Sequence, residues 1–324
     1  MKIRRSFDPR IVLPLLSLCL FLIASAAVYY LLQELSYEQV IAELSTLSNR
    51  QIAFAAIFTL GSYAALSGYD WSALSYLGRR LPYRAVALGA FCGCAFANTI
   101  GLNVLSGGSV RYRIYMPFGL GGLEVICITV FAMVAYGIGI SVVAGVALII
   151  DPQLVANLFG ASPHLLKGIG ILVLITFIAF VALTFLRQTP FHLGSWRVQL
   201  PNGHITLAQF IFSVMEILCA GGCLYVLISE VKVPFLSFLV VYAVSVVASM
   251  ASYVPGGLGV FEGFMLLTFR HSIPAESLAT ALLLYRAIYY LAPLMLATLI
   301  LAGREVTDRV LPLRRRRYSR SPIP

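Results

Sequence analysis

The chain has 324 residues, of which 60% are hydrophobic and only 11% are charged. Globular chains carry about a quarter charged residues, so this composition excludes a secreted, fibrous or disordered protein and indicates a membrane protein. The formal net charge is +10, and the basic residues lie mostly in short loops and at the two ends. In a membrane protein this distribution is an orientation signal, so we expect no nucleic-acid partner.

The apolar segments predict a series of membrane helices. Several segments are about 20 residues or longer, enough to cross roughly 30 Å of hydrocarbon. Lys2, Arg4 and Arg5 imitate the start of a signal peptide, but the apolar run 11–32 is too long for one and predicts an uncleaved first span. The amphipathic linker 36–49 is predicted to lie in the membrane interface. The later predicted spans cover residues 51–77, 85–105, 123–150, 165–186, 207–229, 235–254 and 277–302.

Clusters of cations orient these spans. Arg79, Arg80 and Arg84 follow the second span, and residues 187–205 contain arginine but no acid. The segment 304–324 is a basic tail with four consecutive arginines. Because cytoplasmic loops carry an excess of lysine and arginine, we place these regions and both termini in the cytoplasm.

With these sides fixed, two segments must begin and end on the same side of the membrane. Residues 84–122 and 234–276 are therefore predicted to be hairpins, the first entering from the cytoplasm and the second from outside. Each is predicted to break at a glycine pair, Gly107-Gly108 in the first hairpin and Gly256-Gly257 in the second.

Each hairpin is preceded by two spans and followed by one, with opposite direction. The predicted fold is an all-α integral membrane protein: a polytopic helical bundle with two inverted repeats, each containing a glycine-broken re-entrant or hairpin segment. We treat residues 1–324 as a single membrane domain with halves 1–160 and 161–303. Interrupted segments at matching positions of inverted halves indicate a midplane transport site, although such glycines can also merely relieve packing.

Ionisable residues inside membrane spans are functional candidates, because each costs about 2.5 to 3.5 kcal/mol on insertion scales. Arg111 and Arg113 follow the first glycine pair and Glu262 follows the second, while Glu216 and Arg286 lie deep in their spans. A structural pair between Arg286 and Glu262 is an equally open alternative. The candidate substrate-binding set is completed by the four glycines Gly107, Gly108, Gly256 and Gly257.

Other polar groups are given simpler interpretations. Asp70 and Glu124 lie nearer the ends of their spans and are interpreted as boundary or pairing residues. No catalytic residue is assigned. The histidines and cysteines lack the spacing of a metal site, and no phosphate-binding Gly-x-x-x-x-Gly-Lys-[Ser/Thr] loop is present, so we expect no cofactor.

The motifs Ser106-Gly-Gly-Ser-Val-Arg-Tyr-Arg113, Pro255-Gly-Gly-Leu-Gly-Val-Phe-Glu262 and Tyr285-Arg286 occur in this order. Together they resemble the membrane region of lysylphosphatidylglycerol synthase/flippases, the multiple peptide resistance factor family. The resemblance covers nearly all of the chain. It implies a lipid flippase of the bacterial cytoplasmic membrane that moves aminoacylated phosphatidylglycerol, lysyl- or alanyl-, from the inner to the outer leaflet and contributes to resistance to cationic antimicrobial peptides.

The resemblance also sets the expected partners. In the family a separate cytosolic domain transfers the amino acid, but this sequence ends shortly after Arg317, so we expect no enzyme activity from this chain alone. The expected partners are an anionic or aminoacylated phospholipid substrate, a synthase partner or domain, and a homo-oligomeric copy. In the implied site Arg111, Arg113 and Arg286 bind the lipid phosphate, and Glu216 and Glu262 bind the ammonium.

Three alternatives remain open. The same module occurs in stand-alone proteins of hopanoid or glycolipid pathways, so the cargo could be another isoprenoid, hopanoid or glycolipid. A membrane-embedded enzyme could use the same glutamates and arginines, although a metal or nucleotide motif is lacking. A scaffold for a partner synthase could bind anionic lipid through its basic tail.

Overall fold

The computed structural model describes residues 47–100, 103–186, 191–193, 196–198, 201–228, 233–252 and 254–310. Several predictions lie outside these residues. They are the first span 11–32, the interfacial segment as far as residue 46 and the arginine-rich tail beyond residue 310. Of the basic segment 187–205, the structure describes only residues 191–193, 196–198 and 201–205.

The described chain is nearly all helical. In chain order the helices are α1 (Asn49–Tyr76), α2 (Tyr83–Ile100), α3 (Ser106–Tyr115), α4 (Gly122–Ile150), α5 (Pro152–Phe159), α6 (Pro163–Leu186), α7 (Gly203–Val226), α8 (Phe235–Ala251), α9 (Val260–Phe269), α10 (Ala275–Tyr285) and α11 (Ala292–Val310). Short 3₁₀ turns occupy Met116–Phe118 and Pro255–Gly257, and a π-helical segment, Arg286–Leu291, joins α10 to α11.

Among the described residues, five helical segments are long and apolar enough to cross a membrane. They are Asn49–Tyr76, Gly122–Ile150, Pro163–Leu186, Gly203–Val226 and Ala275–Arg304, the last running through α10, the π-helical segment and the start of α11. Leu172, Ile175 and Ile178 of α6 are exposed, as side chains that face lipid should be. The prediction of an all-α integral membrane protein is confirmed, with one local exception.

The exception is a two-stranded antiparallel hairpin in the polar segment after α6. Strand β1 (Phe191–Leu193) pairs with β2 (Trp196–Val198), with Phe191 opposite Val198. The predicted all-α fold did not include these strands. Three-residue strands leave too little periodicity for a sequence pattern to reveal them.

Local sequence explains where the long helices begin and how closely they pack. Ser48 and Gln51 form a reciprocal capping box at the start of α1, with the Ser48 backbone N–H donating to Gln51 Oε1 at 2.9 Å. Helices α1 and α7 then pack closely because Gly68 has no side chain. A Cβ there would clash with the Phe212 ring. Small residues at such interfaces let helix backbones approach in lipid.

The buried side chains divide into two main clusters. One is formed chiefly by α1, α2, α3 and α4, and the other chiefly by α7, α8, α9 and α10. Each hairpin therefore packs mostly with the long helices of its own half. Within the described residues the order of long helix, helical hairpin and long helix occurs twice. The prediction of two inverted repeats with re-entrant segments stays a prediction.

The two predicted hairpins correspond to α2 with α3 and to α8 with α9. Helices α3 and α9 have 10 residues each, a length of about 15 Å, which is half of the hydrocarbon thickness. In the second hairpin the break lies at the predicted glycines, since Gly256 and Gly257 have φ values of 61° and 62°. Glycine adopts this left-handed conformation without the steric cost that other residues meet.

The break of the first hairpin corrects the predicted position. Helix α2 ends at Ile100 and α3 begins at Ser106, so the break precedes Gly107 and Gly108. Both glycines lie in the first turn of α3 and are buried. A Cβ at Gly107 would lie 2.6 Å from the Gly93 carbonyl oxygen of α2. The glycine pair therefore serves the close approach of the two arms of the hairpin.

The broken ends of the two hairpins meet. A Cβ built on Gly256, in the break of the second hairpin, would lie 2.9 Å from the carbonyl oxygen of Thr99, near the end of α2 in the first hairpin. Non-helical backbone is tolerated at membrane depth only where protein or a water-filled cavity surrounds it. This meeting point is where the candidate site lies.

Candidate functional site

An ion pair between Arg286 and Glu262 lies at the break of the second hairpin. Arg286 Nη2 and Nε each lie 2.6 Å from Glu262 Oε1, and Arg286 Nη1 donates to the Gly256 carbonyl oxygen at 2.8 Å. The two side chains are 15% and 16% exposed. The pair predicted as one alternative therefore forms, and it is neither sealed in the core nor fully solvated.

Local backbone geometry holds Glu262 in place. Gly259, with φ at 79°, precedes α9, and its backbone N–H donates to Glu262 Oε2 at 2.8 Å. A carboxylate at this position of a helix also interacts favourably with the positive end of the helix dipole. Glu262 thus uses one oxygen to start the helix and the other to bind Arg286.

Aromatic rings form one wall of this site. The Arg286 guanidinium carbon lies 4.6 Å from the Tyr290 ring centroid and 6.0 Å from that of Phe261. Both distances are within the range of a cation–π interaction. Arg286 and Tyr290 belong to the π-helical segment, a local distortion that is frequent at functional sites. The arrangement can hold a cation against the ring and an anion against the guanidinium.

Glu216 lies in a separate, deeper environment. It is only 4% exposed, its Oε1 accepts a hydrogen bond from the Tyr289 hydroxyl at 3.0 Å, and that hydroxyl also lies 2.7 Å from Ser62 Oγ. Glu216 Oε2 has no hydrogen-bond partner. Tyr289 stands one residue before Tyr290, and the two rings are in edge contact at 5.2 Å. The π-helical segment therefore links Glu216 to the Arg286 site.

Arg111 is enclosed by protein. Its Nε donates to Asp70 Oδ2 at 2.8 Å and its Nη2 to Cys94 Sγ at 3.1 Å, and its side chain is 3% exposed. Asp70 is completely buried and also accepts a hydrogen bond from the Tyr115 hydroxyl at 2.6 Å. This network fixes α3 against α1 and α2. Asp70 is thus a pairing residue, one of its two predicted roles.

Arg113, two residues further along α3, faces outward instead. It lines a groove of about 460 Å³ between α2, α3 and α11, together with Ser109 and Thr298. Glu124 lies at the start of α4 and pairs with Arg79 at 2.7 Å in an exposed position, so it too is a pairing residue.

The structure therefore sorts the predicted site residues into three places. Arg286 and Glu262 meet with Gly256 at the second break, and Gly257 lies in the same turn. Glu216 does not touch this pair and is linked to it through Tyr289, which donates a hydrogen bond to Glu216 and packs on Tyr290. The remaining predicted residues, Arg111, Arg113, Gly107 and Gly108, lie on α3 of the first hairpin.

Sequence reasoning missed several partners in these sites. Tyr290 stands four residues after Arg286. This spacing places two side chains on one helix face, and it is the sequence signal that could have identified Tyr290 as a neighbour of Arg286. Ser62 and Cys94 carry no such signal, because their roles depend on helices that are distant in the sequence.

Residues 5–297 match the family described as the lysylphosphatidylglycerol synthase TM region. The chain belongs to this family. The uncharacterized protein slr0712 of Synechocystis sp. is 32% identical over 295 residues, which cover 89% of this chain and 90% of that relative. The inner membrane protein YbhN of Escherichia coli is 29% identical over 240 residues, covering 73% and 74% of the two chains.

The family also includes a membrane region within a larger protein. The phosphatidylglycerol lysyltransferase of Staphylococcus aureus is 25% identical over 292 residues, which cover 88% of this chain but 33% of that relative. This chain therefore spans about a third of the lysyltransferase. The match is to the membrane region of the family, which is an integral membrane module.

Proposed function

We propose that this protein is a lipid flippase that moves aminoacylated phosphatidylglycerol, lysyl- or alanyl-, from the inner to the outer leaflet of the bacterial cytoplasmic membrane. The observation that carries the proposal is the partly exposed Arg286–Glu262 pair at the meeting point of the two broken hairpins. Membership of the lysylphosphatidylglycerol synthase family supports this substrate class. The inverted-repeat prediction supports the transport mode.

The chemistry of the headgroup matches the pair. Aminoacylated phosphatidylglycerol carries one phosphate and at least one ammonium. When the headgroup enters, the Arg286 guanidinium exchanges Glu262 for the phosphate, whose oxygens its fork-shaped donors can bind in a bidentate manner. Glu262 then binds the ammonium, and the Tyr290 ring provides a further cation-binding face. Charge remains paired at each stage, which lowers the cost of bringing the headgroup into the membrane.

The groove beside Arg113 supplies the entrance in this proposal. It lies between α3 and α11, and its wall combines an exposed guanidinium with apolar side chains from Phe96 and Leu301. A phosphate can approach Arg113 there while the acyl chains stay in lipid. Arg111 acts differently in the proposal: its pair with Asp70 positions α3, and thereby the groove.

In this proposal the activity also contributes to resistance to cationic antimicrobial peptides. Lysylated lipid in the outer leaflet replaces a net negative headgroup with a net positive one. Each basic residue near an anionic membrane surface contributes about 1 kcal/mol of attraction, so a less negative surface weakens peptide binding.

The test is the leaflet distribution of lysyl-phosphatidylglycerol in cells that make it, measured with a membrane-impermeant amine reagent. Glu262→Gln should leave the total amount unchanged and reduce the outer-leaflet fraction. Glu124→Gln is the matched control, since Glu124 also accepts a backbone N–H bond at a helix start and pairs with an arginine, but in an exposed place. Normal outer-leaflet labelling in Glu262→Gln at normal expression would contradict the proposed site.

A second candidate cargo is another phosphate-bearing lipid, such as an isoprenoid-linked or glycolipid molecule. It is favoured by the match to slr0712 over 90% of that relative, which shows that the module occurs in proteins of about its own length. A headgroup without an ammonium would need Arg286 but would not need a carboxylate ligand. Transport that survives Glu262→Gln but not Arg286→Gln would indicate such a cargo.

A partner synthase belongs to the same proposal, because a flippase needs a source of aminoacylated lipid on the cytoplasmic side. Co-purification of the full chain with a separately encoded synthase would show a direct complex. Transport of lipid by the purified chain alone would show that the complex is not required for movement.

A further inference from the structure

Glu216 differs from Asp70 and Glu262 in having no cationic partner among the described residues. Asp70 is paired with Arg111 and Glu262 with Arg286, but Glu216 is in none of the ion pairs formed by the described residues. An unpaired ionised carboxylate in a membrane interior is costly, and acids in such positions are frequently members of proton relays. The surroundings of Glu216 therefore bear directly on its chemistry.

Tyrosine and cysteine side chains of α1, α2, α4, α7, α8 and the π-helical segment are among the ionisable groups that surround Glu216. The tyrosines among them are Tyr63, Tyr69, Tyr136, Tyr242, Tyr289 and Tyr290. The cysteines are Cys94 and Cys219. Each of these groups is neutral or negative in its two protonation states. None of them can balance a negative charge on Glu216, whereas a proton can.

A buried polar stripe leads from Glu216 along α7. Thr206, Gln209, Ser213 and Glu216 are spaced by three or four residues, so they lie on one face of the helix, and all four are buried. From Gln209 to Glu216 the helix rises by about 10 Å. Thr206 and Gln209 line a cavity of about 340 Å³ between α1, α4, α6 and α7. The stripe thus runs from the edge of this largely apolar cavity to the buried acid.

Several atoms in this region have unused hydrogen-bonding capacity. Gln209 Nε2, Glu216 Oε2 and the Tyr69 hydroxyl are buried without a hydrogen-bond partner. Tyr69 belongs to α1 and lies near Ser213 of the α7 stripe. Buried polar groups in proteins are nearly always satisfied, by water where protein atoms do not serve. Their grouping along the interface of α1 and α7 indicates a hydrated path.

We propose that Glu216 is a proton-binding site that couples headgroup movement to proton movement along the α1–α7 interface. The coupling rests on the proposed flippase function. Glu216 accepts a hydrogen bond from Tyr289, whose neighbour Tyr290 packs on Arg286. A proton on Glu216 makes it a weaker acceptor for the Tyr289 hydroxyl. The hydrogen bond that holds the π-helical segment, which carries Arg286, is thereby changed. Protons reach Glu216 along the polar stripe of α7 and occupy it while Arg286 exchanges its partner.

The proton site is tested by infrared difference spectroscopy on the purified full chain, recorded as a function of pH. Wild type should show the carbonyl stretching band of a protonated carboxylic acid that titrates reversibly, and Glu216→Gln should lack it. Tyr69→Phe removes one hydroxyl from the path and should slow hydrogen–deuterium exchange of this band. A band that is absent, or that does not change over the pH range in which the protein stays folded, overturns the proton site.

The coupling is tested in proteoliposomes with an imposed pH gradient and an internal pH dye. Wild type should move labelled lysyl-phosphatidylglycerol at a rate that depends on the gradient, with proton uptake accompanying lipid movement. If the lipid moves at a rate that does not depend on the pH gradient while the infrared band still titrates, the coupling is overturned. A titrating band without movement of any lipid would instead contradict the proposed flippase function and leave the proton site intact, so the two failures are distinguishable.

Discussion

Arg286 and Glu262 form an ion pair at 2.6 Å across 24 residues of sequence, at the break of the second hairpin. Glu262 is held by the Gly259 backbone N–H and Arg286 by the Gly256 carbonyl oxygen. The two charges are therefore positioned through irregular backbone at the break of the hairpin.

Replacement of Arg286 by lysine should impair transport although the charge is kept. Lysine cannot bond Glu262 and the Gly256 carbonyl oxygen in the same planar fork. Loss of one bond to a charged group, about 1.5 to 3 kcal/mol, corresponds to a decrease of about tenfold or more in translocation rate. The measurement is the initial rate of lipid movement per folded protein, and a rate equal to wild type would contradict the role of the guanidinium geometry.

Two substitutions of Tyr290 should distinguish the contribution of its ring to transport from that of its hydroxyl. Tyr290→Phe keeps the aromatic face 4.6 Å from Arg286 and should transport nearly normally. Tyr290→Leu removes the cation–π interaction, about 0.5 to 2 kcal/mol, and should raise the lipid concentration needed for half-maximal rate. Equal impairment by both substitutions would show that the hydroxyl, and not the ring, is what matters.

The two adjacent glycines of α3 should tolerate alanine very differently. At Gly107 a Cβ would lie 2.6 Å from the Gly93 carbonyl oxygen, whereas at Gly108 the nearest atom is at 3.6 Å. Gly107→Ala should therefore lower the melting temperature in detergent. Gly108→Ala should be neutral or stabilise by up to about 1 kcal/mol, because alanine is the better helix former. Similar melting temperatures for the two variants would contradict the close packing of α2 and α3.

Alanine at Gly256 tests the contact between the two hairpins. Gly256 has φ at 61° and a Cβ there would lie 2.9 Å from Thr99 O, while Gly78 has φ at 67° and open space around it. Both alanine variants carry the left-handed backbone strain of about 1 to 2 kcal/mol. Gly256→Ala should show a larger loss of stability and of transport than Gly78→Ala. Equal losses would mean that backbone strain alone accounts for the effect.

The Asp70–Arg111 pair should behave as a structural unit. Asp70→Asn leaves a buried guanidinium without its partner and should destabilise by about 3 to 5 kcal/mol. The double variant Asp70→Asn with Arg111→Gln should recover much of that loss, and a double-mutant cycle on chemical unfolding measures the coupling. Strictly additive losses would contradict the pairing, and a stable double variant without transport would show that the pair is also needed to position α3 and its groove.

Composition and hydropathy were sufficient to predict the membrane class and most of the long helices, because hydrocarbon thickness imposes a length that is visible in sequence. The second glycine break was also predictable, since Pro255-Gly256-Gly257 cannot continue a regular helix. The first break was misplaced because Gly107 and Gly108 interrupt nothing. They are required by the approach of α2, which is a tertiary constraint.

For the charged residues too, the sequence predicted which ones matter, whereas their contacts depend on tertiary packing. Sequence reasoning selected Arg286 and Glu262 because each is conspicuous in an apolar segment, and it left open whether they pair. It could not separate Arg111, enclosed with Asp70, from Arg113, exposed on a groove, because the two stand on the same short helix. The rotation of α3 decides their roles, and that rotation depends on packing against α1 and α2.

The central claim is tested most directly by leaflet-resolved translocation in proteoliposomes containing the purified full chain. The lipids compared are labelled lysyl-phosphatidylglycerol, plain phosphatidylglycerol and a lipid with an uncharged headgroup, each with wild type and Glu262→Gln. We predict selective movement of the aminoacylated lipid that is lost in Glu262→Gln. Movement of none of the three lipids, or movement of all three that is insensitive to Glu262→Gln, would contradict the account.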